Sequence, residues 1–447
     1  MSVNDSAKGL SKRALENVSK PDHWAPLIKS LSNPWSETNT DGTIILGIAE
    51  NTLMHKEIAD HITRNFAIDP QSQLTYGNGP QGSPRLRSGL AGFFNERFHP
   101  ITETTAEEFV ITAGVTAMID HLTWCICNEG EGILFPQPLY TGFTNDVPTR
   151  SRGRVVPVSF EREDGSLELA DVFDAAANSR CLERALRQAE TDGVKVKAVM
   201  ITNPHNPLGK CYPPETIEAI AAFCAKHKLH YLSDEIYALS TFENTAYPKV
   251  TPFYSVLSLQ LDGIIDPSFF HVLYGPAKDF CANGLRLGAF YTRNSMLRQA
   301  MISVTTFAWQ SYLTQDTWAR ILEDAAFLAW YIAENQRRLA EHYRILTDFL
   351  DEQSIPYFRG GNAGIFLWVD LRRHLDSGTR SDGSAANSLR AAKEVQLSDA
   401  WLLKGVMIAR GGKFLSEELG WFRITFTAEK PALREGLRRF VEVLDED

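Results

Sequence analysis

Four polar clusters stand at the ends of apolar runs, and together they describe a place where an anion could be held. Thr112-Ala-Gly114-Val115-Thr116 closes one run and opens a helical pattern. Free backbone amides and the positive end of a helix would suit a phosphate there, and the same residues serve equally as a turn and cap. In Asn203-Pro-His-Asn206-Pro-Leu-Gly209 two Asn-Pro steps make a rigid turn that holds the Asn206 amide outward. Ser233-Asp234-Glu235-Ile-Tyr237 ends a further run. Asp234 can face a ligand or cap a helix. Lys278 follows another, with Arg286 eight residues later; a lysine in such a place is ordinarily a solvated surface group.

These clusters need a scaffold that brings strand ends together. Strand-like runs occupy Phe109–Thr112, Gly132–Phe135, Val196–Thr202, Leu229–Ser233, Phe269–Tyr274 and Gly288–Tyr291. Helical patterns lie between them. In Pro214–His227, Ile217, Ile220, Ala221 and Cys224 share one face. Alternation of this kind predicts an α/β fold with a mostly parallel sheet covered on both sides, whose ligands bind beyond the carboxyl ends of the strands. A single long helix is expected from about Asp316 to Tyr343, with Trp318, Ile321, Ala325, Leu328 and Ile332 as its apolar stripe. The last hundred residues, with strands at Ile365–Val369 and Phe422–Phe426, predict a smaller α+β domain, and Asp376–Asn387 reads as a surface loop.

At 447 residues the chain is too long for one compact core and suits two domains. Its formal charge of −10 argues against nucleic acid and anionic membranes as partners. No run approaches the roughly 18 apolar residues of a membrane span, and Met1–Pro21 lacks the apolar core of a signal peptide. The six cysteines form no CxxC pair and no metal-type cluster, so buried thiols in a reduced, cytoplasmic enzyme are expected, with no bound metal.

The order of the clusters resembles that of fold-type I enzymes dependent on pyridoxal 5'-phosphate (PLP), the class I/II aminotransferase superfamily. The resemblance implies a large domain with a mostly parallel sheet flanked by helices and a smaller α+β domain. Residues 1–52 would join the small domain, 53–315 would form the PLP-binding domain, and 316–447 the connecting helix and small domain. By the same resemblance Lys278 would hold the cofactor's aldehyde and later move the Cα proton. Asp234 would keep the pyridine nitrogen protonated, Asn206 and Tyr237 would bind the phenolic oxygen, and Arg286 would clamp the phosphate beside Gly114, Val115 and Thr116.

Further segments are similar to 1-aminocyclopropane-1-carboxylate (ACC) synthases and their fungal-type relatives. They are Leu46-Gly-Ile-Ala-Glu50-Asn51, Phe135-Pro-Gln-Pro-Leu-Tyr140-Thr-Gly-Phe143, Asn362-Ala-Gly-Ile-Phe-Leu-Trp-Val-Asp-Leu-Arg372 and Gly420-Trp-Phe-Arg423. The likeness implies that Tyr140 stacks on the cofactor ring, Arg423 grips the substrate carboxylate and Glu50 approaches the substrate side chain. Tyr76 would reach a neighbouring subunit's phosphate in a homodimer with shared sites, or pack within its own turn. Two departures stand out. Gly275-Pro276-Ala277 replaces the family's Ser-x-Ser before the lysine, and His23-Trp24 occupies the region where ACC synthases carry an aromatic residue near the substrate. The implied reaction on an amino-acid substrate is C–S bond cleavage, first α,γ-elimination of S-adenosylmethionine to ACC. The alternatives are β-elimination of a cysteine-type conjugate in secondary metabolism, transamination, and a non-catalytic PLP-fold protein.

Overall fold

The computed structural model describes residues 9–19, 25–375 and 384–446. Its main sheet has seven strands: β1 (Phe109–Thr112), β2 (Gly132–Pro136), β3 (Arg154–Val158), β4 (Val196–Thr202), β5 (His230–Asp234), β6 (Phe270–Tyr274) and β7 (Gly288–Thr292). Their spatial order is β1-β7-β6-β5-β4-β2-β3. The pairs from β3 across to β6 are parallel, and β7 runs antiparallel to both its neighbours. Strands β1, β2, β6 and β7 are buried at every position. That is why they read as apolar runs rather than alternating ones, as a sheet covered on both faces requires. β3 escaped the sequence pattern because it carries Arg154 and Pro157 on the sheet edge, where a missing N–H donor is tolerated.

The direction of β7 positions the site. Because it is antiparallel, it begins at the rim where the other strands end. Arg286 therefore arrives beside the residues that follow β1, β4, β5 and β6. The rim is braced from behind by an aromatic cluster on helix Pro84–Arg97: Phe94 stacks on Phe98 at 4.2 Å and meets Phe109 of β1 and Tyr274 of β6 edge-on at 5.0 and 5.7 Å. Such pairs contribute about 0.5–1.5 kcal/mol each beyond their buried area.

A smaller antiparallel sheet, in the order β9-β10-β8, contains β8 (Phe366–Asp370), β9 (Ala409–Arg410) and β10 (Trp421–Thr425). The N-terminal segment is tied to it. Ile44–Ile45 pairs in parallel with Val406–Met407, and the Thr425 amide donates to the Leu46 carbonyl at 2.7 Å.

The single helix expected over Asp316–Tyr343 is two, Tyr312–Glu323 and Ala325–Glu352. Asp324 leaves the helical conformation and caps the second helix by accepting the Phe327 amide at 3.0 Å. The apolar stripe keeps its phase across the break, which hid it, although Ala325 itself is exposed. Of the loop expected at Asp376–Asn387, residues 376–383 lie outside the described residues and Ser384–Asn387 opens the helix Ser384–Leu403. His23-Trp24 also lie outside them. All six cysteines are free, and five are buried. Among the described residues no helix is long and apolar enough to cross a membrane.

At the opposite end of the sheet from this rim, His230 and His271 share a proton-bearing contact, Nδ1 to Nε2 at 2.9 Å, and His271 continues to Thr292 Oγ1 at 2.8 Å. Burial pushes the His230 imidazole down to about 4, with Lys197 acting in the same sense. A base whose folded-state value is depressed binds fewer protons folded than unfolded. Its contribution is therefore complete above about pH 6.5 and is lost as pH falls towards 4. Urea unfolding should show the wild type losing about 1–3 kcal/mol relative to His230→Asn between pH 6.5 and 4.5, and a constant difference across that range would refute the assignment.

Candidate active site

Lys278 sits in the short helix Pro276–Asp279 that follows β6. It is half-buried, and its Nζ donates to the Ala49 carbonyl. Burial lowers the amine to about 8. Arg423 and Arg286 reinforce that shift, while Glu50 and Asp234 oppose it. The sequence's ordinary expectation of a solvated lysine does not hold, and four other candidate residues act on this one nitrogen.

Asp234 ends β5, is buried, and among the described residues accepts only the Ile236 amide, at 3.3 Å. Burial pushes its carboxyl up to about 7, and Lys278 pulls it down. Tyr237, three residues beyond, lies edge-on to Phe366 at 5.3 Å with its phenol driven well above its usual value by burial. Asn206 comes off the turn after β4 and is buried. Its Oδ1 accepts from Arg423 Nη1 at 3.0 Å, which leaves its amide NH2 as a donor. Tyr140 is half-buried after β2, and burial pushes its phenol up to about 12.

Arg423 stands in the middle of β10 and is only 4% exposed. Nη2 donates to the Gly47 carbonyl at 2.8 Å, and Nε is buried without a partner. The guanidinium lies 5.0 Å from the Phe366 ring centre and 4.8 Å from that of Phe414. Among the described residues no acid pairs with it, so it is not a strand arginine neutralised by a surface carboxylate. Glu50 is near: its Oε1 accepts from Asn283 Nδ2 at 3.2 Å, and its backbone carbonyl accepts from Thr427 Oγ1 at 2.6 Å.

The phosphate-type turn lies across the rim. Gly114 caps the helix Val115–Ile126 at φ +88°, a conformation that favours glycine. A Cβ on Gly114 would stand 2.9 Å from Arg286 Nη2. The amides of Val115 and Thr116 fall in the first helical turn, where no intrahelical acceptor exists; the first such bond is Met118 to the Gly114 carbonyl, 3.1 Å. Arg286 is exposed, takes φ +48°, and donates Nη1 to the Asn283 carbonyl at 3.1 Å. That strained backbone costs of order 1–3 kcal/mol and aims the side chain at the turn. At the first position of the missing Ser-x-Ser a side chain is sterically excluded, since a Cβ on Gly275 would lie 2.7 Å from the Leu287 carbonyl oxygen.

The rim thus gathers Lys278, Asp234, Tyr237, Asn206, Tyr140, Arg423, Glu50, Arg286 and the Gly114 turn. Tyr76 does not join them. It is 85% exposed and leans on Trp309 at 5.8 Å, so it is not packed into a core either. Sequence reasoning missed Asn283, which holds Glu50, and Asp146, whose carboxyl burial raises to about 7 beside Tyr140. It also missed the Phe366–Phe414 sandwich around Arg423. Only Phe366 lay in a quoted motif, and nothing in its type marked it as a partner for a cation.

The sequence matches the family model "Aminotransferase class I and II" over residues 42–440. It is 32% identical to "Probable aminotransferase gliI" of Aspergillus fumigatus over 89% of this chain and 88% of that one. It is 30% identical to 1-aminocyclopropane-1-carboxylate synthase 8 of Arabidopsis thaliana over 92% and 86%. It is also 31% identical to "Probable inactive 1-aminocyclopropane-1-carboxylate synthase-like protein 2" of Mus musculus over 92% and 67%. The fold matches a Thermus thermophilus aspartate aminotransferase double mutant with a TM-score of 0.76 at 21% identity, covering 98% of this chain and all of that one. The family's cofactor is PLP. The residues present fit it: an amine with a lowered proton affinity, a buried carboxyl with one weak donor, free helix amides, and an arginine over a glycine turn. This chain belongs to the class I and II aminotransferase family of PLP-dependent, fold-type I enzymes.

Proposed function

We propose that this enzyme cleaves a C–S bond in a free α-amino acid, with α,γ-elimination of S-adenosylmethionine to ACC as the first reading. The observation that carries it is that one guanidinium with no acid partner among the described residues, Arg423, and one carboxylate, Glu50, both act on the Lys278 amine. A substrate matched to that pair has a single α-carboxylate and a neutral or cationic side chain. A sulfonium or thioether satisfies this, and a dicarboxylic acid does not.

Bound PLP supplies the electron sink for the pair released when a bond to Cα breaks. The protein's own groups do the rest. Lys278 would hold the cofactor and, once free, accept the Cα proton. Asp234 would hold the proton on the pyridine nitrogen, and the NH2 of Asn206 with the Tyr237 hydroxyl would bind the phenolic oxygen. Arg286 with the amides of Val115 and Thr116 would hold the phosphate, and Tyr140 would cover the ring. Arg423 would bind the α-carboxylate and so orient the Cα–H bond. Transamination is the second reading, favoured by the name of the Aspergillus relative. β-Elimination of a cysteine conjugate uses the same residues. The full set of Lys278, Asp234 and Tyr237 speaks for catalysis over a non-catalytic role.

The same reading divides the chain near residues 52 and 315, supported by the pairing of Ile44–Ile45 with the small domain's Val406–Met407. It makes the protein a homodimer, supported by the exposure of Leu74, Tyr76 and Phe307 at 68, 85 and 85%. Tyr76 would then serve the second copy's site. Six free thiols fit a cytoplasmic protein.

Only the neutral amine of Lys278 can take up the cofactor, so the rate at which a near-visible band appears on adding PLP should rise with pH, with a midpoint near 8. Arg423→Gln should move that midpoint up and Glu50→Gln should move it down. Shifts in the opposite senses would show that these charges do not face Lys278. Loss of a charged, bidentate contact costs roughly 1.5–3 kcal/mol. Arg423→Ala should therefore lower kcat/KM by about one to two orders of magnitude, affecting kcat and KM together, and unchanged kinetics would remove it from the substrate site. Finally, mass spectrometry of reactions with S-adenosylmethionine, S-alkylcysteines and amino donors should find ACC. Keto acids from dicarboxylic amino acids as the main product would overturn the C–S reading.

A further inference from the structure

We propose that Asp279 is a positioning residue whose carboxylate locks the Lys278 turn to the segment carrying Tyr237 and so sets where the Lys278 amine stands. The proposal rests on the reading of Lys278 as the cofactor-holding residue.

Asp279 is 2% exposed and has no cation partner among the described residues. Its two oxygens are spoken for by three donors: the Leu239 amide at 3.0 Å, the Ser240 hydroxyl at 2.6 Å and the Tyr274 hydroxyl at 3.0 Å. Leu239 and Ser240 lie two and three residues after Tyr237, and Tyr274 ends β6. The carboxylate thus joins the turn after β6 to the turn after β5, the two places that deliver the lysine, Asp234 and Tyr237.

The backbone of Asp279 extends the link. Its carbonyl accepts from Asn335 Nδ2 at 3.4 Å, and Asn335 Oδ1 accepts from Asn51 Nδ2 at 3.0 Å. Asn51 is fully buried and its Oδ1 also takes the Leu53 amide at 3.1 Å. The two residues before it are Glu50, which faces Lys278, and Ala49, whose carbonyl receives the lysine amine. One residue therefore braces the lysine turn on two sides. Asp279 stands apart from Arg423, Glu50, Arg286 and Asp234, the groups whose charges act most on the Lys278 amine. Its influence runs through placement. A carboxyl buried without a cation is an expensive way to fill space, whereas three converging hydrogen bonds are an effective way to fix one turn against another.

The test uses the cofactor-free full chain and PLP itself, reading the rate of appearance of the near-visible band against pH. Asp279→Ala should slow uptake at pH 8 by about tenfold or more and raise the midpoint, because an amine no longer held in place is better solvated. Asp279→Asn should restore most of the wild-type rate and midpoint, since its amide can still accept from Leu239 and donate to Ser240. A merely structural role would lower the melting temperature of Asp279→Ala and leave the midpoint and rate in place, and that result overturns the proposal. An Asn variant as slow as the Ala variant overturns it too, because charge would then be what matters. Should Asp279→Ala not fold, Ser240→Ala removes one arm of the brace: a smaller upward shift supports the proposal and an unmoved midpoint overturns it. A wild-type protein that forms no band defeats the Lys278 reading itself, and this proposal with it.

Discussion

The site depends on a guanidinium buried where no carboxylate among the described residues neutralises it. Taking a charge out of water is costly unless other dipoles replace the lost hydration. Arg423 receives that replacement from the Asn206 side chain, the Gly47 carbonyl and the faces of two phenylalanines. The four partners come from three parts of the chain. Asn206 leaves the main sheet, Gly47 belongs to the N-terminal segment, and Phe366 and Phe414 come from the smaller domain. Holding one cation thus draws together three regions of the chain.

A second cation, Lys278, is handled in the same way. The Gly47–Asn51 segment offers the Gly47 carbonyl to Arg423 and the Ala49 carbonyl to Lys278, then anchors itself through Glu50 and Asn51. Two positive groups share one run of backbone. Arg423 lowers the proton affinity of the lysine and Glu50 raises it, so a change at either charge is felt at the amine.

Much of this was legible in the sequence because strand-end chemistry leaves a mark. Asp234, Lys278 and Asn206 stand where apolar runs stop, and Arg423 follows a Gly-Trp-Phe segment whose likeness to known enzymes is specific. Backbone carbonyls leave no such mark, so the roles of Gly47 and Ala49 could not be read. Asn283 and Asp279 were invisible for another reason: their types are common in turns, and only packing shows what they hold. The break at Asp324 stayed hidden because the helical stripe continues in phase across it. β3 stayed hidden because an edge strand can carry arginine and proline. The loss of hydroxyls before Lys278 was plain in the sequence, but the Leu287 carbonyl pressed against Gly275, which leaves no room for a side chain there, belongs to the fold.

The reversed strand β7 has a consequence for how such a protein can change over generations. Because it turns back at the rim, the short connection between Tyr274 and Gly288 carries the lysine, the neighbouring Asp279, the partner of Glu50 and the arginine beside the Gly114 turn on one piece of chain. An insertion or deletion there would displace all four at once. Substrate preference is free to drift through segments that meet this connection from outside, such as residues 47–51 and the loop bearing Phe414. The connection itself is confined to single-residue exchanges that keep its length.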